Sequence, residues 1–273
     1  MMATPPTHTE LADGPPLQPV AAFWCRIPSR PNFGDALTPW LIRRIHGRSP
    51  RFALPSAADP TYFVTGSILA QAGPRCIVWG SGIMTRQDRI CPEARLLAVR
   101  GPLSRQRALD CGVDCPEVYG DPALLLPMVH RPHRASKRKH VIGIVPHFSD
   151  LPQLPAAWHH TAELQVIDLQ QPIETVIDQL VRCDWVASSS LHGLVASHAY
   201  GIKAAWLRFR DLPSGDDSKF SDYFQSIGID ELRPVRSSYD HLPLEHLAEH
   251  ACLPVQLPDL QRLWQACPFR GLP

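Results

Sequence analysis

The sequence predicts an α/β protein made of two Rossmann-like lobes, with the active site in the cleft between them. Three observations lead there. Short apolar runs end in glycine turns and alternate with segments of helical period, the pattern of buried parallel strands in α/β layers. The strand–helix rhythm stops at a polar stretch, residues 130–140, and then restarts. The chain has 273 residues, long for one compact core and comfortable for two lobes. The expected division is a disordered leader over residues 1–19, an N-terminal lobe over 20–136 and a C-terminal lobe over 137–273.

In chain order, residues 21–27 form a first apolar strand. A helix over 36–47 follows, with Gly47 as its stop signal. Residues 51–60 are expected as loop, 62–65 as strand, and Gly66-Ser67 as the opening of a helix. Residues 76–79 and 96–99 are buried strands that run into the turns Gly80-Ser81-Gly82 and Arg100-Gly101-Pro102, and 103–111 is a helix. In the second lobe, 141–145, 164–169, 185–188 and 204–209 are strands. Ile173, Val176, Ile177, Leu180 and Val181 mark one face of a helix over 173–183. A helix starts beside His192. Phe220, Tyr223, Phe224 and Ile227 form the apolar face of a last helix, which Gly228 ends.

Composition narrows the function. With 44% hydrophobic and 19% charged residues, the chain is globular. Its formal net charge of +1 gives no global field for nucleic acid or an anionic membrane, so anion binding must be local. No run approaches the ~20 apolar residues that span a bilayer. The first 19 residues lack the basic start and apolar run of a secretory signal, so the expected location is cytoplasmic. The eight cysteines are expected as reduced thiols, and Cys111 and Cys115 lack a second pair to complete a zinc site. Residues 130–140 carry five Lys or Arg, as a solvated linker would, or as a peripheral contact to lipid headgroups at the inner membrane face.

Polar or glycine residues fall at six strand ends: Asn32 to Asp35, Thr65 to Ser67, Gly80 to Gly82, Arg100-Gly101, Gly120 to Pro122 and Ser188 to Gly193. Singly, each is an ordinary turn, and Asp121 before Pro122 reads as an N-cap. The last place carries more. A serine-rich turn opening a helix leaves backbone N–H groups free for an anion. His192, in the first turn, can move protons near neutral pH. His198 falls on another face and reads as packing.

Together these segments resemble the polysaccharide pyruvyl transferase family. The resemblance rests on Asn32-Phe33-Gly34-Asp35, Thr65-Gly66-Ser67, Val78-Trp79-Gly80-Ser81-Gly82, Ala98-Val99-Arg100-Gly101-Pro102, Val118-Tyr119-Gly120-Asp121-Pro122-Ala123-Leu124, Ser188-Ser189-Ser190-Leu191-His192-Gly193 and Lys219-Phe220-Ser221-Asp222-Tyr223-Phe224. It spans residues 32–228 and is greatest to the ketal-pyruvate transferases of bacterial exopolysaccharide synthesis. It implies a two-lobed fold similar to the GT-B glycosyltransferases. It implies phosphoenolpyruvate as co-substrate, no cofactor and no metal, and a sugar acceptor carried on a lipid. It assigns His192 and Asp35 to catalysis. Donor contacts fall to Arg100, Ser189, Ser190, Leu191, His192 and Lys219, and acceptor contacts to Asn32, Asp35 and Gly82. One departure stands out: Ser190 occupies a position where many members carry arginine, so Arg208, Arg210 or Lys219 would have to supply that charge. Two other functions use the same residues: a nucleotide-sugar glycosyltransferase of the same fold, and a non-catalytic carbohydrate-binding subunit.

Overall fold

The structure is a computed structural model that describes residues 20–26, 32–132, 141–211 and 215–270. The leader over 1–19 and most of the basic stretch, 133–140, lie outside the described residues. Two parallel sheets organise the chain. The first holds β1 (Ala21–Phe23), β2 (Arg51–Phe52), β3 (Thr61–Phe63), β4 (Cys76–Trp79) and β5 (Arg95–Ala98), in the order β2-β1-β3-β4-β5. The second holds β6 (Ile142–Val145), β7 (Leu164–Val166), β8 (Trp185–Ser188), β9 (Lys203–Arg208) and β10 (Val235–Arg236), in the order β10-β9-β8-β6-β7.

Numbered from its own first strand, each sheet has the same order, 2-1-3-4-5. This is a doubly wound arrangement whose strand order reverses between the first and third strands. A ligand crevice is expected beyond the strand C-termini at that reversal. In the first sheet the reversal lies between β1 and β3, and in the second between β6 and β8. Both therefore point at segments already singled out by sequence: Asn32 to Asp35 with Thr65 to Ser67, and Ser188 to Gly193.

The helices are α1 (Phe33–His46), α2 (Pro102–Asp110), α3 (Leu126–Val129), α4 (Ile173–Leu180), α5 (Leu191–Ala199), α6 (Ser218–Ser226), α7 (Leu244–His250) and α8 (Leu260–Gln265). α1 stops at Gly47, whose φ of 86° closes a bond to the Arg43 carbonyl. α4 and α6 bury the faces their periodicity predicts. Two expectations are corrected. Residues 51–52 form β2, because Arg51 and Ala53 N–H groups bond back to Val20 and Ala22 carbonyls beside β1. Gly66-Ser67 opens no α-helix; only a short 3-10 turn, Leu69–Gln71, follows. It is anchored by the Leu69 N–H on the Gly82 carbonyl.

A continuous apolar core crosses both halves, from Ala22, Val64 and Trp79 through Phe33, Leu37 and Leu41 to Val186, Leu194 and Phe224. Satellite cores cover the opposite sheet faces, through Phe63, Val78 and Leu96 in one and Ile144, Ala187 and Leu207 in the other. The two-residue alternation along the strands assigns each side chain to its face. The seam between the halves is tightly closed where α1 meets α4: the Phe33 N–H donates to the Leu169 carbonyl at 2.7 Å. The end of the chain returns to the first sheet. Trp79 Nε1 donates to the Leu263 carbonyl at 2.8 Å, and the Phe269 ring packs edge-on against Tyr62 and Trp79. Among the described residues, no helix is long and apolar enough to cross a membrane.

Candidate active site at the strand ends

In the second sheet, β8 ends at Ser188, and Ser189 and Ser190 turn the chain into α5. Ser188 Oγ donates to the carbonyls of Val145 and Ser190 and accepts the Ser190 N–H, which shapes the turn. Ser190 caps α5 without a side-chain bond, so the amides of the first turn, Leu191 to Gly193, have no intrahelical partner. Leu191 and His192 are buried there, His192 at 9% exposure.

The first sheet supplies the facing wall. Asn32 caps α1 and Asp35 sits in its first turn. Thr65, past the end of β3, ties that turn down: its hydroxyl donates to the Gly34 carbonyl at 2.9 Å. Gly34 is required by what lies on it, since the Nδ1 edge of the His192 ring occupies the space where a Cβ would stand. Burial raises the Asp35 carboxyl to about 6, against the pull of His192, an Asn32 hydrogen bond and Lys219. Lys219, in the first turn of α6, moves the other way. Burial lowers its ammonium to about 8, with help from the Arg100 and Arg208 charges and against Asp217 and Asp35. Asp217, just before it, holds a left-handed backbone, φ 67°, and pairs with Arg208. The two halves thus bring both His192 and Lys219 within electrostatic reach of Asp35.

Arg100 departs from expectation. It follows β5 as predicted but is wholly buried, and its guanidinium is engaged by protein: Nε donates to Asp222 Oδ2 at 2.9 Å, and the terminal nitrogens donate to Ser67 Oγ and the Ile83 carbonyl. Gly82, expected at the acceptor, lies against this guanidinium. The physical reason is Asp222 on α6, a buried carboxylate that draws the arginine inward. Ser189 is likewise occupied: its hydroxyl donates to Asp150 and accepts the His147 N–H. Of the three cations that could stand in for arginine at position 190, Arg208 pairs with Asp217 and Arg210 with Asp150. Lys219 makes no ion pair within 4 Å among the described residues.

Sequence reasoning missed several members of the site. Asp121 is the N-cap it was read as, accepting the Ala123 N–H at 2.9 Å, yet its second oxygen faces His192 Nε2 at 3.4 Å. Asp222 lay inside a quoted motif but received no role. His147 follows β6 at the strand reversal of the second sheet, a position that could have flagged it. Its Nδ1 accepts the Ser149 N–H, leaving Nε2 as the donor, and burial beside Lys219 lowers it to about 4, so it is neutral at pH 7. Asp150 is buried and collects Ser189, Arg210 and Tyr239. His198 is packing as read, bonded to the Tyr223 hydroxyl and the Cys252 carbonyl.

Buried polar atoms without partners mark the same place. Four of the eight among the described residues belong to the motif segments, Asn32 Oδ1, Ser81 Oγ, Asp121 Oδ2 and His192 Nε2, and a fifth, Ser218 Oγ, is one residue before Lys219. Orphaned polar atoms in a native interior call for a ligand, a water or a catalytic role. Among the described residues, the one group of His and Glu side chains able to converge on a metal ion, His246, Glu249 and His250, is on α7, away from these segments.

Comparison with known proteins agrees with the geometry. An uncharacterized protein of Acanthamoeba polyphaga mimivirus is 26% identical over 179 residues, covering 63% of this chain and 62% of that protein. The chain thus matches less than two thirds of that relative's length. No solved structure matches significantly. Residues 32–209, from the α1 cap through the His192 turn to the end of β9, match the polysaccharide pyruvyl transferase family, and the chain belongs to it.

Proposed function

We propose that the protein is a transferase that builds a pyruvate ketal on a sugar of a polysaccharide or its lipid-linked repeat unit, taking the three-carbon group from phosphoenolpyruvate and releasing phosphate. The observation that carries this reading is the meeting of Asp35, His192 and Lys219 at the strand ends of two facing sheets, inside the span matched by the family or just beyond it. The two sheets act as the lobes of a GT-B-like architecture, divided near residue 136, with acceptor on the first and donor on the second.

The donor carries a carboxylate and a phosphate, and the site answers with several kinds of group. Lys219 supplies charge, the Leu191 to Gly193 amides supply N–H donors, and His147 supplies a neutral imidazole N–H. Arg100 contributes at a distance, as a buried charge that keeps Lys219 easier to deprotonate. Reaction begins when a proton is delivered to the methylene carbon, leaving an oxocarbenium-like centre at C2. One sugar hydroxyl adds to C2 and loses its proton. A second hydroxyl displaces phosphate from C2, loses its proton and closes the ketal. A positioned acid or base contributes about 10²–10⁴-fold to such steps. His192 takes that role in this reading, and Asp35, raised to about 6, can take a hydroxyl proton near neutral pH. The reaction would run at the inner face of the plasma membrane, where residues 131–140 add a basic contact for an anionic lipid carrier.

The test is phosphate release from phosphoenolpyruvate that depends on an oligosaccharide acceptor, with mass spectrometry of the product for one carboxyethylidene group per repeat. Release of nucleotide from a sugar nucleotide instead would identify a glycosyltransferase. Glycan binding without turnover of any donor would identify a binding subunit.

A further inference from the structure

Asp121 and His192 belong to different halves of the molecule, yet each leaves one buried atom unpaired, and the two atoms face each other. Asp121 is fully buried. Its carboxylate orientation is fixed, because Oδ1 is held by the Ala123 N–H while Oδ2 points at His192 Nε2, 3.4 Å away. Neither Oδ2 nor Nε2 has another partner. The approach is built into the backbone on both sides. Gly80, with φ 95°, lets Pro122 pack where a side chain would otherwise stand, and the 3-10 turn Pro122–Leu125 then lies against α5. On the other edge of the ring, Gly34 receives Nδ1. The imidazole is clamped between two glycine-dependent contacts of the first half.

A neutral imidazole has one N–H and one lone pair, and the hydrogen bond at one nitrogen decides which is which. A carboxylate can only accept. We propose that Asp121 is the positioning residue for His192. It holds the ring as the Nε2–H tautomer across the seam, leaving the Nδ1 lone pair, on the Gly34 side, as the base. The separation of 3.4 Å is longer than a formed hydrogen bond, so closing it takes a shift of only a few tenths of an ångström between the halves. The catalytic consequence rests on the function proposed above; the tautomer does not.

Asp121→Asn separates the two. The Ala123 N–H needs an acceptor, so the asparagine oxygen stays on the cap and its NH₂ faces His192. Nε2 must then become the acceptor and the proton must move to Nδ1. Nitrogen NMR on histidine-labelled protein, with His192→Gln to assign the signal, should show Nε2–H in the wild type and Nδ1–H in Asp121→Asn, with the thermal midpoint little changed. Turnover should fall about 10²-fold or more at near-constant KM, as when a catalytic imidazole is held in the wrong tautomer. An Nδ1–H wild type, or a tautomer unaffected by Asp121→Asn, overturns the proposal. If Asp121→Asn fails to fold, the wild-type spectrum and that of Asp121→Glu, which keeps an acceptor and should keep Nε2–H, decide it in the same way. A tautomer that switches as expected in a protein with no activity on phosphoenolpyruvate upholds the positioning role and overturns the proposed reaction alone.

Discussion

Two buried carboxylates cross the seam between the sheets, and they are treated differently. Asp222, on α6, accepts from Arg100 Nε at 2.9 Å, from the Ser104 N–H at 2.8 Å and from the Ser104 hydroxyl at 2.6 Å. Asp121 accepts one backbone N–H and leaves its other oxygen facing His192 without a formed bond. Both are fully buried, so exposure does not separate them. Saturation does. A carboxylate with every partner in place is a lock, and opening it costs free energy without gaining chemistry. A buried carboxylate with an unpaired oxygen is held in a costly state that persists where something else depends on it.

The strongest way to break this contrast is to remove the lock. Asp222→Ala strands a fully buried guanidinium and frees the N-terminus of α2. Losing one partner of a buried pair costs about 3–5 kcal/mol, a large part of the stability of an ordinary domain. Urea unfolding should show a sharply lower midpoint, and expression at 37 °C should suffer. Arg100→Met with Asp222→Leu, which removes both charges, should restore most of the stability. Recovery of stability without activity in that double variant would confirm that the pair also sets the charge environment of Lys219.

His192→Gln should do the opposite. Glutamine fills much of the same space but cannot shuttle a proton. Acceptor-dependent phosphate release should drop about 10²–10⁴-fold, while the unfolding midpoint moves by about 1 kcal/mol or less in stability terms. An equal loss of stability in both variants would erase the distinction drawn between the two carboxylates.

The contrast also explains what the sequence could and could not show. Strand ends were legible because buried parallel strands are apolar throughout and stop at glycine: Cys76–Trp79 followed by Gly80 is found as read. The turn at Ser188 to Gly193 was legible for the same reason. Partnership was not. Arg100 and Asp222 are separated by 122 positions, and His192 and Asp121 by 71, so no local pattern could join them. Arg100 was therefore read as a donor contact at a strand end, with no sign of the distant carboxylate that it pairs with. Asp121 was given only its local role, as a cap, because the cap is the part of its chemistry that adjacent residues encode. The repeated strand order of the two sheets was invisible too, since it is shared topology without shared sequence.

Asp35 and Lys219 sharpen the comparison with a milder effect. Asp35 rises from 3.8 to about 6 through burial, so the folded state holds its proton more tightly. Its contribution to stability is fully present below pH 3.8 and is lost as pH rises through about 6. Lys219 falls from 10.5 to about 8, so its contribution is present above pH 10.5 and is lost as pH falls through about 8. At pH 7 both groups therefore cost stability. Asp35→Asn and Lys219→Met should each raise stability there by about 1–3 kcal/mol while lowering turnover. The double variant should gain more than the two single gains added together, because each single variant also strips the remaining charge of its partner. Denaturant titrations at pH 5, 7 and 9 test the windows: the advantage of Asp35→Asn should shrink at pH 5, and that of Lys219→Met at pH 9.

The smallest effect belongs to a third carboxylate that crosses the seam, Glu174 on α4. It accepts from Trp40 Nε1 at 2.8 Å and from Arg44 at 2.9 Å, both on α1. By partner count it resembles Asp222, but its side chain and that of Arg44 are each 42% exposed. Water and salt then screen the ion pair, and such pairs contribute about 0–1 kcal/mol. Glu174→Gln keeps an acceptor for Trp40 and removes only the charge, so it should cost less than about 1 kcal/mol in low salt and close to nothing at about 1 M salt, where the screening length is near 3 Å. Turnover should be unchanged. A loss comparable to that of Asp222→Ala would mean that the number of partners, rather than their burial, decides which contacts lock the two halves together.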